Sequence, residues 1–227
     1  NLTDASGAFA GDLLGVVGVS YDWLNGQNTT LLGIERAGGF QLTELGKDLA
    51  MRPRIAPAPQ GFFVTWGEGS ALHLSEVGLD GATREAVELT TTVPRACGLA
   101  AFESTVVAVC ESGESVVAFV CTALACQQLQ LTDCQQGPAS PEVIWDGEAF
   151  ATALACAPNG VAELRFGRLS RTGSIISETT IAGPWSENAS SSSLGLARQG
   201  ERALLAYDDV LLEVEPTTAM ARVTADL

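Results

Sequence analysis

Apolar residues in this chain come in short runs of five to eight, each closed by an aromatic residue or a cysteine. They are Leu14 to Tyr21, Phe62 to Trp66, Val106 to Cys110, Ala151 to Cys156 and Ala203 to Tyr207, recurring about every 45 residues. Self-similarity at such a period marks one supersecondary unit repeated in tandem. Helical periodicity is scarce. The runs have strand length and alternate with Gly, Asn-Gly and Asp-Gly turns, which predicts an all-β chain.

Each unit parses into four strands. The first holds Ile55, Leu99, Ile144 or Leu196, and a turn marked by Gly61, Gly147 or Gly200 leads into the apolar run. The third strand starts at Thr29, Ala71, Ser115, Val161 or Asp209. Turns such as Asp80-Gly81 and Thr172-Gly173 lead to a more polar fourth strand, FQLTEL, EAVELT, QQLQLT, IISETTI or AMARVT. Apolar inner strands that pack between units and a polar outer strand at the solvent edge account for this gradient. Four-stranded antiparallel units of this length are β-propeller blades. The expectation is a single domain over residues 1–227 with five blades, near 1–49, 50–92, 93–133, 134–182 and 183–227. A β-trefoil needs three such units and does not fit. A stretch of a larger propeller fits the same pattern.

Trp145-Asp146-Gly147-Glu148-Ala149-Phe150, followed by ATALAC, resembles the W-[DN]-G-x-x-[FY] element that opens the second strand in propeller-type repeats of bacterial secreted and surface proteins. Gln60-Gly61-Phe62-Phe63-Val64-Thr65-Trp66 looks like a degraded copy. The resemblance implies the propeller fold and no particular activity, because function resides in sites grafted onto a fold.

Six cysteines bear on the compartment. Cys97 and Cys110 are symmetric about Glu103-Ser104, and Cys121 and Cys126 flank a four-residue turn, so each pair faces across a predicted hairpin. Cys134 and Cys156 are roughly symmetric about Trp145-Asp146-Gly147. The expected bonds are Cys97–Cys110, Cys121–Cys126 and Cys134–Cys156; buried free thiols are the competing reading. Disulfides place the protein outside the cytoplasm, whether secreted, periplasmic or on the cell surface. No apolar stretch approaches the roughly 20 residues of a membrane-spanning helix.

Twelve basic against 27 acidic residues give a formal charge of -15, which opposes binding to nucleic acid or anionic lipid. Nucleophile and phosphate-loop patterns are missing from the sequence, and the one histidine, His73, lies mid-strand in ALHLSEV. No loop approaches the D-x-[DN]-x-[DN]-G pattern of calcium sites, so no cofactor or metal is expected, with Ca2+ left as an alternative that no motif supports. The best ligand hint is a set of loop residues expected at one face: Trp23 and Trp185, whose rings suit stacking on a sugar, beside Asp22 and Asp208. Trp66 and Trp145 fall in or next to core strands and read as packing residues. The sequence therefore predicts a non-catalytic binding or structural module with a protein or glycan partner. The alternative is a carbohydrate-active enzyme or lectin using the same loop face.

Overall fold

Gly and Asx turns reverse the chain at the intervals the apolar runs leave for them, and the computed structural model shows a succession of meanders. It describes residues 2–22, 24–47, 51–84, 86–90, 94, 96–123, 125–133, 141–156, 163–182, 194–199, 202–207, 210–214 and 221–224. Blade 1 comprises β1 (Leu2–Ala10), β2 (Leu13–Asp22), β3 (Gln27–Arg36) and β4 (Gly39–Lys47). Blade 2 comprises β5 (Arg54–Ala58), β6 (Gly61–Glu68), β7 (Ala71–Gly78) and β8 (Val87–Thr90). Blade 3 comprises β9 (Cys97–Phe102), β10 (Thr105–Ser112), β11 (Ser115–Thr122) and β12 (Ala125–Asp133). Blade 4 comprises β13 (Glu142–Trp145), β14 (Phe150–Cys156), β15 (Glu163–Leu169) and β16 (Ile175–Ala182). Blade 5 comprises β17 (Leu194–Gln199), β18 (Arg202–Tyr207), β19 (Val210–Val214) and β20 (Ala221–Thr224). Each blade is one four-stranded sheet whose strands follow chain order, and the fold is a β-propeller.

The chain divides into two compact units, residues 1–95, 99–106 and 121–126, and residues 96–98, 107–120 and 127–227. In the first, one face of blade 1 lies on blade 2. Val17 on β2 and Leu32 and Ile34 on β3 meet Ile55, Phe62, Val64, Trp66 and Val77 in one buried cluster. A β-carbon on Gly15 would come within 2.8 Å of the Phe62 ring, so glycine there makes room for the aromatic. The face of blade 1 turned away from blade 2 carries Phe9, Phe40 and Leu42, all exposed. In the second unit Phe119, Phe150, Leu164 and Leu169 are buried, and β9 runs so close to β13 that a β-carbon on Gly98 would lie 2.6 Å from the Pro141 carbonyl.

One contact between successive blades recurs in both units. The fourth strand of a blade lays a glutamine on the turn between the third and fourth strands of the next. Gln41 Nε2 donates to the Asp80 carbonyl at 3.0 Å, and Gln127 Nε2 donates to the Thr172 carbonyl. Each accepting residue precedes a glycine with positive φ, Gly81 at 82° and Gly173 at 85°. The positive φ favours glycine at both positions, and a β-carbon there would lie 2.9 Å from Gln41 Nε2 in the first case and 2.6 Å from Gln127 Nε2 in the second, so a side chain would also push the glutamine aside. Gln41→Ala is expected to cost about 0.5–1.5 kcal/mol, the usual net worth of such a bond, read from the urea midpoint at constant slope. An unchanged midpoint would show that the latch contributes nothing.

Disulfides join Cys97 to Cys110, with Cα atoms 4.1 Å apart, and Cys121 to Cys126, with Cα atoms 4.0 Å apart. These are the two bonds expected across the β9–β10 and β11–β12 hairpins. Of the third expected bond, Cys134–Cys156, Cys134 lies outside the described residues. Among those residues no helix is long and apolar enough to cross a membrane.

Candidate functional site

Chain-order pairing puts the turns between first and second strands and between third and fourth strands at one end of each blade. The loops between second and third strands lie at the other, together with the blade connectors. The first of these ends, in the first unit, carries a cleft.

The Pro59-Gln60 turn joins β5 to β6. Beyond β7 the chain turns at Asp80-Gly81, where Asp80 Oδ1 accepts the Ala82 amide at 3.0 Å, and returns through a bridge between Val77 and Thr83. That return sets Arg84 opposite Glu76: the Arg84 amide donates to the Glu76 carbonyl at 2.9 Å, and Ser75 Oγ donates to the Arg84 carbonyl at 2.9 Å. With its backbone pinned on both sides, the arginine has a defined direction. Its Nη1 meets Glu76 Oε2 at 2.9 Å and its Nη2 donates to Gln60 Oε1 at 3.0 Å. Together with Pro59, Phe63, Ser104 and Ala123 these side chains line a cleft of about 340 Å³, within the size range of small-ligand pockets. The Arg84 side chain is 53% exposed, so the ion pair contributes about 0–1 kcal/mol to stability. Its consequence is geometric: a guanidinium fork held still at the mouth of a cleft.

At the corresponding end of blade 4 the Trp145-Asp146-Gly147-Glu148-Ala149-Phe150 segment makes the turn between β13 and β14. Asp146 Oδ1 accepts the Glu148 and Ala149 amides at 2.9 and 2.8 Å, capping its own turn, and Gly147 takes a φ of 114°. Asp146 Oδ2 accepts Arg168 Nε at 2.7 Å, and Arg168 Nη2 reaches Glu148 Oε2 at 3.2 Å. Burial pushes the Asp146 carboxyl up, but the hydrogen bond from Arg168, the two amides and the guanidinium charge outweigh it and hold its pKa below the ordinary carboxylate value. The Arg168 pKa is raised, first by the bond to Asp146. Trp145 packs edge-on against Phe150 at 5.0 Å between ring centroids, and Arg171 lies over its indole at 5.1 Å. Asp146 and Arg168 are buried, Glu148 is exposed, and the ion pair fastens the β13–β14 turn to β15.

Of the predicted site residues, Asp22 lies at the other end. Asp22 ends β2 and folds back on its own loop, accepting the Leu24 amide at 2.9 Å and Asn25 Nδ2 at 2.7 Å. Those bonds, the one from Asn25 first, lower its pKa. The turn they hold presents Leu24 at 95% exposure. Trp23, Trp185 and Asp208 fall outside the described residues. Trp66 is buried and stacks on His73, ring centroids 5.4 Å apart, with the two residues paired across β6 and β7.

None of Gln60, Glu76, Arg84 and Ser104 reads as a site residue from the sequence alone. A signal was present: Glu76 and Arg84 are symmetric about Asp80, the same symmetry that pairs Cys97 with Cys110 about Glu103-Ser104.

No family model matches the chain, and no curated protein does. Solved structures do. The SapL1 lectin in complex with α-methyl fucoside aligns with a TM-score of 0.59 at 10% identity, over 96% of this chain and 78% of that one. A chain of the nidogen/laminin complex aligns at 0.56 and 11% identity, over 95% and 77%. A prolyl endopeptidase aligns at 0.55 and 16% identity, over 97% of this chain but 35% of its own. At these identities the likeness is one of fold, and binding proteins stand beside enzymes among the neighbours.

Proposed function

We propose that this chain is a non-catalytic binding module that works outside the cytoplasm, with a protein or a glycan as its partner. The observation that carries the reading is the state of the cleft. Its lining holds one carboxylate among the described residues, Glu76, already bonded to Arg84, whereas glycoside hydrolysis typically needs two carboxyl groups facing each other across roughly 5–9.5 Å. A carboxylate committed to a guanidinium is placed to accept a hydrogen bond from a ligand. The two hairpin disulfides support a site of action in an oxidising compartment. The fold neighbours support either partner class: nidogen and laminin form a protein complex, and SapL1 is a lectin holding α-methyl fucoside.

The test is binding and turnover on one preparation. The immobilised chain, probed with a panel of methyl glycosides, α-methyl fucoside included, and with nidogen and laminin, is expected to show saturable, reversible binding without product formation. Release of a hydrolysis product that disappeared in Glu76→Gln would make the protein an enzyme.

A further inference from the structure

We propose that the Gln60–Glu76–Arg84 cleft holds a single uncharged sugar residue, free or at the end of a glycan. The inference rests on the binding-module reading and gives that reading a ligand class.

Charge selects first. Arg84 and Glu76 sit 2.9 Å apart and neutralise each other, so an incoming anion meets the carboxylate and an incoming cation meets the guanidinium. The formal charge of -15 further disfavours anions. What the pair offers is a neutral array of fixed donors and acceptors. After the bonds within the array, Arg84 keeps N–H groups beyond the two that reach Glu76 and Gln60, Gln60 keeps its amide NH₂, and Glu76 keeps its second oxygen. Ser104, on the β9–β10 turn, adds a hydroxyl that donates or accepts. A ligand rich in hydroxyl groups, each both donor and acceptor, satisfies such a mixed set; a purely apolar ligand would strand it.

Shape selects next. Pro59, Phe63 and Ala123 give the cleft apolar wall beside the polar groups, and a sugar ring likewise carries C–H patches next to its hydroxyls. Preorganisation completes the argument. Arg84 is pinned through its amide, its carbonyl and both terminal nitrogens, so little side-chain freedom is lost when a ligand arrives.

Isothermal titration of the folded chain with methyl glycosides tests this. At least one glycoside is expected to bind at one per chain. Arg84→Met and Glu76→Gln are each expected to weaken it at least about tenfold. Ser104→Trp, which fills the cleft and leaves the Arg84–Glu76–Gln60 array intact, is expected to abolish binding without lowering the melting temperature, and so covers the case in which Arg84→Met fails to fold. Equal affinity of free glycoside and of a glycan ending in the same sugar identifies the terminal residue as the ligand. Full binding by Ser104→Trp, or displacement of the glycoside by sulfate, overturns the inference. Binding of nidogen or laminin with no glycoside bound also overturns it, while the binding-module reading stands. Glycoside turnover lost in Ser104→Trp has the reverse effect: the sugar site stands and the non-catalytic reading falls.

Discussion

Replacing Phe62 with Ala is expected to lower the free energy of unfolding by about 3–5 kcal/mol, the range for deleting an aromatic side chain from a packed interior. Phe62 is fully buried at the centre of the cluster between blades 1 and 2. The space it would vacate cannot refill. Gly15, directly against the ring, has no side chain to move in, and Val17, Ile55 and Val77 are held by strands on either side. Trp66 makes the useful contrast. It lies in the same cluster, but its indole Nε1 is buried without a hydrogen-bond partner. A buried unpaired donor costs about 1–3 kcal/mol, so Trp66→Phe removes apolar volume and an unfavourable polar group together and is expected to be far milder than Phe62→Ala. Denaturant titrations of the two variants measure both effects. A loss below about 1 kcal/mol for Phe62→Ala would mean that the two blades do not share this core.

The strands, their order within each blade and two of the disulfides were legible because each depends on near neighbours. Apolar runs, Gly and Asx turns and hairpin symmetry are all features of twenty residues or fewer. The face that each strand buries was not legible. Tyr21 and Trp66 close equivalent runs, yet Trp66 shares a face with Phe62 and Val64 and turns toward blade 1, while Tyr21 shares a face with Val17 and is 40% exposed. A slip of one residue flips a strand, and a continuous apolar run carries no alternation to fix it. The glutamine latches were hidden for a different reason: Gln41 and Gln127 reach carbonyls 39 and 45 residues away, and a carbonyl leaves no mark on the sequence. Asp22 illustrates a third limit. As a type, a loop aspartate suits a ligand site and a turn cap equally, and in the structure its oxygens are engaged by Leu24 and Asn25.

Replacing Arg168 with Met is expected to cost about 3–5 kcal/mol at neutral pH, because it strands the Asp146 carboxylate in the interior. The two residues are 6% and 7% exposed, and their bond is 2.7 Å long. The pH dependence distinguishes a stranded charge from lost packing. In the native protein the Asp146 pKa is held below its ordinary value, so its contribution to stability is complete above the unfolded pKa of about 3.9 and is lost as pH falls through the lower folded value. In Arg168→Met the guanidinium that outweighed burial is gone, and the folded pKa of Asp146 rises. The sign therefore reverses: protonation relieves the variant, and its deficit relative to the native protein is expected to shrink as pH falls from 7 toward 4. Asp146→Asn combined with Arg168→Met removes the stranded charge and is expected to recover part of the loss at neutral pH while its pH dependence flattens. Urea titrations of the three proteins across that pH range supply the measurement. A deficit in Arg168→Met that stayed constant across the range would show that Arg168 contributes by packing alone, and the carboxylate in the β13–β14 turn would then be held by the Glu148 and Ala149 amides without it.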